Sequence, residues 1–156
     1  MTGAQLSYAL IALIGGAAVP FLASINAAYG QQIGSVWLAG MTLCVVALIS
    51  VAAVGAVAGL PPLSSVAGGK WWHYTAGCFF AVYVVSITYV APKIGLANAI
   101  ILVVVAQIFT AVIIDHFGLL GQKVTPIDWK RALGVAFLIV GVALARSQPS
   151  PPGVSG

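Results

Sequence analysis

Residues 96–118 read "LANAIILVVVAQIFTAVIIDHFG". The run is apolar almost throughout, yet it carries an amide, Gln107, at its middle and an acid and an imidazole, Asp115 and His116, near its end. A helix that crosses the hydrocarbon layer of a bilayer needs about 20 mostly apolar residues, and this stretch meets that length. The rest of the chain decides whether it is a membrane span or the core of a soluble domain. Of 156 residues, 62% are hydrophobic and only 5% are charged. Soluble domains carry about 25% charged residues, enough for a polar shell. This chain lacks the residues to build such a shell, and a bilayer removes the need for one. The sequence therefore reads as an all-α integral membrane protein, and a soluble enzyme is excluded.

Working outward, five segments have the length and apolarity of spans: residues 6–29, 36–60, 71–91, 96–117 and 126–146. Turn chemistry separates them. Ser35 in "YGQQIGS" can cap the second helix, the prolines and glycines of "GLPPLSSVAGG" cannot continue it, and "APKIG" breaks the third from the fourth. In "TPID", Thr125 is placed as N-cap, Pro126 at the first helical position and Asp128 near the positive end of the dipole. The uncharged part of the fifth segment, residues 132–145, spans roughly 21 Å, short of the ~30 Å hydrocarbon layer. Lys130, Arg131 and Arg146 flank it and can snorkel to the surfaces. Trp71, Trp72, Tyr74 and Trp129 suit the interface belt. Residues 1–146 thus form one five-helix transmembrane domain, and the Pro/Ser/Gly-rich residues 147–156 are expected to be disordered. No basic residue precedes the first apolar run, which reads as a retained helix rather than a cleaved leader.

Six scattered basic residues set the net charge of +4 and form no stripe for nucleic acid. Cys44 and Cys78 lie in apolar runs and read as packing residues. CxxC, HExxH, GxGxxG and the phosphate-loop pattern are all absent, so no metal, cofactor or enzymatic activity is expected. Five spans place Lys70, Lys123, Lys130 and Arg131 on the N-terminal side and Lys93 and Arg146 on the other. The positive-inside rule then favours an inward N-terminus by four to two, a bias small enough to leave single and dual topology both open. Five helices are few to enclose a solute path. A dimer supplies ten, and an antiparallel dimer makes an inverted repeat. Gly55 with Gly59, and Gly134 with Gly141, have spacings that permit close helix packing, within the chain or between copies.

Polar groups in hydrocarbon need partners, so they are the informative positions. Gln107 sits at the bilayer centre with Thr110 on its face, as an inter-helix hydrogen bond or a solute contact. Asp115 opposes the dipole at a helix C-terminus and wants a cation: Lys123, Lys130, Arg131 or a protonated His116. It reads as an interfacial salt bridge or, with His116, as a proton-coupling gate at a cavity mouth. Gly15, Gly16 and Pro20 weaken the middle of helix one, as a plain kink or as a break whose freed carbonyls line a site, with Asn26 six residues on. Helix three carries Tyr83, Ser86 and Tyr89 at steps of three, with Thr88 nearby, for cation–π contacts or for bonds to neighbouring helices.

The stretches "PFLASINAAYGQQIGS", "KWWHYTAGCFFAVYVVS", "APKIGLANAIILVVVAQ", "IIDHFGLLG" and "RALGVAFLIVGVALA" together resemble the short, five-helix YdcZ-type family of bacterial inner-membrane proteins in the drug/metabolite transporter superfamily. The resemblance implies a half-size transporter-like bundle in the bacterial inner membrane, working as a homodimer or with a paired paralogue. It carries over Asn26, Gln107 and the "DHFG" element, Asp115 to Gly118. No carboxylate precedes Asp115, so the glutamate-dependent cation export of the small multidrug-resistance relatives is not expected here. Two functions follow as expectations. One is a dimeric transporter of a small organic solute: Asn26, Gln107, Tyr83, Ser86, Tyr89 and Thr110 line its cavity, Asp115 and His116 gate it, and helix bundles rock for alternating access. The other is a membrane scaffold or accessory subunit whose polar residues join helices.

Overall fold

The computed structural model describes residues 3–146, which form helices and their links, with no strand among them. The expected disorder of residues 147–156 lies outside the described residues. The chain divides into two compact units, Met1–Lys93 and Ile94–Gly156.

In the first unit, α1 (Gly3–Ile33) and α2 (Val36–Ala58) are separated by a two-residue turn. Gly34 takes a left-handed φ of 68°, and Ser35 then caps α2, its hydroxyl accepting the Leu38 amide at 3.2 Å. Short 3-10 turns at Leu63–Gly68 and Trp71–Thr75 lead into α3 (Ala76–Ile94). The expected break in α1 does not occur: the helix is continuous for 31 residues through Gly15, Gly16 and Pro20. Pro20 removes one hydrogen bond and crowds the carbonyl four residues back, which belongs to Gly16. The remaining bonds of a long helix in lipid carry it through.

Packing in this unit follows the chemistry of helices in lipid, where apolar faces gain nothing by leaving acyl chains and small residues let backbones approach. Ala23, Asn26, Ala27 and Gly30 form the buried stripe of α1, Ala39 and Gly40 that of α2, and Val84, Ile87, Thr88 and Ala91 that of α3. A Cβ on Gly30 would stand 3.1 Å from the Thr88 methyl and 3.5 Å from Ala39 Cβ. Gly30 and Gly40 are therefore the close-packing glycines. The expected Gly55/Gly59 pair is not one: Gly59 ends α2 with φ 90°, and Gly55 meets only the Leu60 side chain. Gly134 and Gly141 have open space around them.

In the second unit, Gly95 (φ 85°) precedes α4 (Leu96–Phe117), and α5 (Trp129–Arg146) follows a link containing the 3-10 turn Leu119–Gly121. The N-cap of α5 is Asp128, not Thr125. Its Oδ1 accepts the Arg131 amide at 2.8 Å. The helix starts later than expected because residues of the "TPI" segment are already bonded to the end of α4. The Thr125 amide donates to the Asp115 carbonyl at 2.7 Å and the Ile127 amide to His116 Nδ1 at 3.1 Å.

Four helical stretches among the described residues are long and apolar enough to cross a membrane: Gly3–Ile33, Val36–Ala58, Trp71–Ile94 and Leu96–Phe117. Helix α5 is outside that set, since its 18 residues include the basic side chains of Lys130 and Arg131 at one end and Arg146 at the other. Large apolar side chains such as Ile14, Val57, Phe79 and Phe137 stand exposed around the helices. In water this surface would aggregate; against acyl chains it is solvated.

Candidate functional site

Three groups of polar residues emerge. The first lies inside the seam of the first unit. Asn26 and Thr88 are buried, at 5% and 1% exposure, and the Asn26 amide nitrogen donates to the Thr88 hydroxyl at 2.6 Å. That hydroxyl in turn donates to the Val84 carbonyl at 2.7 Å. Thr88 is four residues beyond Val84, the spacing at which a hydroxyl on a helix reaches back to a carbonyl. Asn26 also lines a cavity of about 370 Å³ with Leu22, Tyr29 and Thr42. Its carbonyl oxygen remains available to accept a hydrogen bond.

The second group sits where α1 ends, α2 begins and α3 ends. Gly30, Gln31, Ser35, Trp37, Tyr89 and Lys93 line a cavity of about 420 Å³ there. Lys93 Nζ donates to the Tyr89 hydroxyl at 2.7 Å and lies 4.0 Å from the Tyr89 ring centroid. The pair is one helical turn apart, the spacing at which side chains on a helix meet. Trp37 also lines a neighbouring apolar cavity of about 430 Å³, with Gly40, Met41, Cys44 and Ala81.

The third group joins α4 to α5. Arg131 Nη1 lies 3.4 Å from Asp115 Oδ2, both side chains about two-fifths exposed. Arg131 is thus the compensating cation. His116 is bonded elsewhere: its Nδ1 accepts the Ile127 amide of the link. The His116 and Phe117 rings meet edge to face at 4.7 Å. Gly118 ends α4 with φ 62°, and its amide donates to the Ile114 carbonyl. A Cβ there would fall 2.5 Å from Val124 Cγ2. The "DHFG" element is therefore a helix terminus and a clasp on the following link.

The remaining expected site residues stand apart from these groups. Ser86, Gln107 and Thr110 are exposed. Tyr83 is half-buried, and its hydroxyl is buried with no hydrogen-bond partner among the described residues. Gly15, Gly16 and Pro20 line none of the three cavities. Among the described residues, no three of His, Cys, Asp or Glu gather to hold a metal.

The family model described as "Putative inner membrane exporter, YdcZ" matches residues 7–144. The chain belongs to the YdcZ family. The match reaches from α1 into α5, so the YdcZ-type resemblance in the sequence extends over both units. With four span-capable helices, this family member is a multi-pass protein of the inner membrane, and its general class is transport. Neither a curated protein nor a solved structure matches the chain.

Proposed function

We propose that the chain is one half of a dimeric exporter of a small organic solute, crossing the membrane five times and working by alternating access. The observation that carries this reading is the cavity of about 370 Å³ beside the buried amide of Asn26, in a chain that the exporter family matches over residues 7–144. An amide in hydrocarbon needs a partner. In this reading a second copy, or a paired paralogue, places Gln107 and Thr110 of α4 along a shared path. The weak charge asymmetry of the two ends suits an antiparallel pair, which forms an inverted repeat. The solute contacts begin at the cavity beside Asn26, with Tyr29 and Thr42 as further polar liners. Opening of the Asp115–Arg131 pair releases α5 from α4 and serves as the gate.

A second reading, a membrane accessory subunit without transport of its own, draws on a specific observation. Asn26 and Asp115 already have partners within the chain, Thr88 and Arg131. One experiment separates the two. The protein is reconstituted in vesicles and screened with amines, amino acids, sugars and nucleosides. Gln107→Leu is then compared with wild type. Loss of transport with an intact dimer supports the exporter. Loss of assembly, or a wild-type protein that binds but never moves any solute, supports the accessory subunit.

A further inference from the structure

We propose that the cavity at the joined ends of α1, α2 and α3 is a binding site for one oxyanion, a carboxylate or a phosphate group. Among the described residues that line it, Lys93 alone is charged. The chain holds two carboxylate side chains, Asp115 and Asp128, and neither belongs to the unit that contains this cavity. Both are engaged, Asp115 with Arg131 and Asp128 as the cap of α5. The ammonium of Lys93 therefore has no counter-charge in its own unit. It is nonetheless held in place, by the Tyr89 hydroxyl at 2.7 Å and the Tyr89 ring at 4.0 Å. Both side chains are exposed, so the ammonium is open to a ligand at the mouth of the cavity.

The hydrogen-bond inventory of the cavity points the same way. Lys93 uses one of its protons on Tyr89 and keeps two. Tyr89 accepts that bond and keeps its own proton to donate. Ser35 accepts the Leu38 amide and likewise keeps its hydroxyl proton. Gln31 and Trp37 add an amide and an indole donor to the lining. These donors beside the Lys93 ammonium match an acceptor that carries negative charge. The volume of about 420 Å³ exceeds a bare oxyanion and lies in the range of small-molecule pockets. Trp37 is shared with the apolar cavity, so an alkyl chain attached to the anion has a surface to lie on. The anion is thus either the headgroup of a bilayer phospholipid or a free anion from solution. The site requires no transport cycle, and its loss leaves the exporter reading untouched.

The test measures thermal unfolding of the full chain. One arm uses phosphatidylcholine nanodiscs with and without phosphatidylglycerol. The other uses neutral detergent with inorganic phosphate or acetate, each against chloride at equal ionic strength. Wild type, Lys93→Arg and the control Lys70→Gln should be stabilised by the anion. Lys93→Gln should bind it about tenfold more weakly or worse, as expected for loss of a charge-assisted hydrogen bond. Tyr89→Phe should weaken it less. Stabilisation in the phosphatidylglycerol arm alone identifies a lipid headgroup; stabilisation by phosphate or acetate identifies a soluble anion. An anion effect of equal size in wild type and Lys93→Gln overturns the site, because Lys93 would then serve only the dipole at the end of α3. Absence of any anion effect in wild type overturns it as well.

Discussion

Replacing Thr88 by Val removes one oxygen and keeps the shape of the side chain. The Asn26 amide nitrogen then loses its partner at 2.6 Å while Asn26 stays buried at 5% exposure. A buried donor left without a partner costs about 1–3 kcal/mol. Asn26→Leu is the milder change, since the Thr88 hydroxyl retains its bond to the Val84 carbonyl. It should cost less than about 1 kcal/mol, and Thr88→Val added to it should cost little more. The coupling of the pair is then nearly the whole cost of Thr88→Val, about 1–1.7 kcal/mol where that cost meets the upper limit for inter-helix hydrogen bonds in membranes. Equilibrium unfolding in mixed micelles, with the fraction of denaturing detergent as the variable, measures all four proteins. If Thr88→Val costs the same with Asn or Leu at position 26, the α1–α3 bond contributes nothing to stability. Asn26 would then be free for a solute, and the Asn26–Thr88 bond would not be what holds α1 against α3.

Other changes test the remaining elements. Gly30→Ala places a Cβ 3.1 Å from the Thr88 methyl and should be tolerated within about 1 kcal/mol, whereas Gly30→Leu should cost more than about 1–3 kcal/mol by overpacking in the same unfolding assay. Gly118→Ala and Gly121→Ala both force a side chain into the left-handed region, at about 1–2 kcal/mol. Only Gly118→Ala also meets Val124 at 2.5 Å, so it should be the more damaging of the two by thermal melt. Arg131→Gln should lower stability by less than about 1 kcal/mol, with the loss shrinking at high salt, because both partners are about two-fifths exposed. Asp128→Ala should cost about 1 kcal/mol with no comparable salt dependence, because it removes a cap.

The helical class, the positions of the turns and the membrane setting were legible in the sequence because each follows from local chemistry. Ser35 lies between a glycine and an apolar run, and it caps as its position suggests. The need of Asp115 for a cation was legible too, and Arg131 was among the candidates. Less was legible where a contact joins distant residues. Thr88 outranks its neighbours Ser86 and Tyr89 in burial because it faces Asn26, 62 residues away, and no local pattern marks that face. The late start of α5 depends on amides captured by the preceding helix, which helix-start rules do not register. Lys93 was read only as a topology charge, although its spacing of four from Tyr89 signals the pair. Glycine spacing misled for a related reason: GxxxG describes a helix face, and Gly59 lies beyond the end of the helix.

The unequal lengths of the helices have a consequence for the lipid. The apolar part of α1, residues 6–29, extends about 36 Å, and that of α5, residues 132–145, about 21 Å. A hydrocarbon layer of ~30 Å is too thin for the first and too thick for the second in the five-span arrangement. In the five-span arrangement proposed above, the first would adapt by tilting and the second by drawing headgroups toward its basic ends. Acyl chain length therefore acts on the two helices in opposite senses: longer chains straighten α1 and stretch the layer around α5, and shorter chains do the reverse. In that arrangement membrane thickness would become a mechanical input to the protein, set by the host's choice of fatty acids.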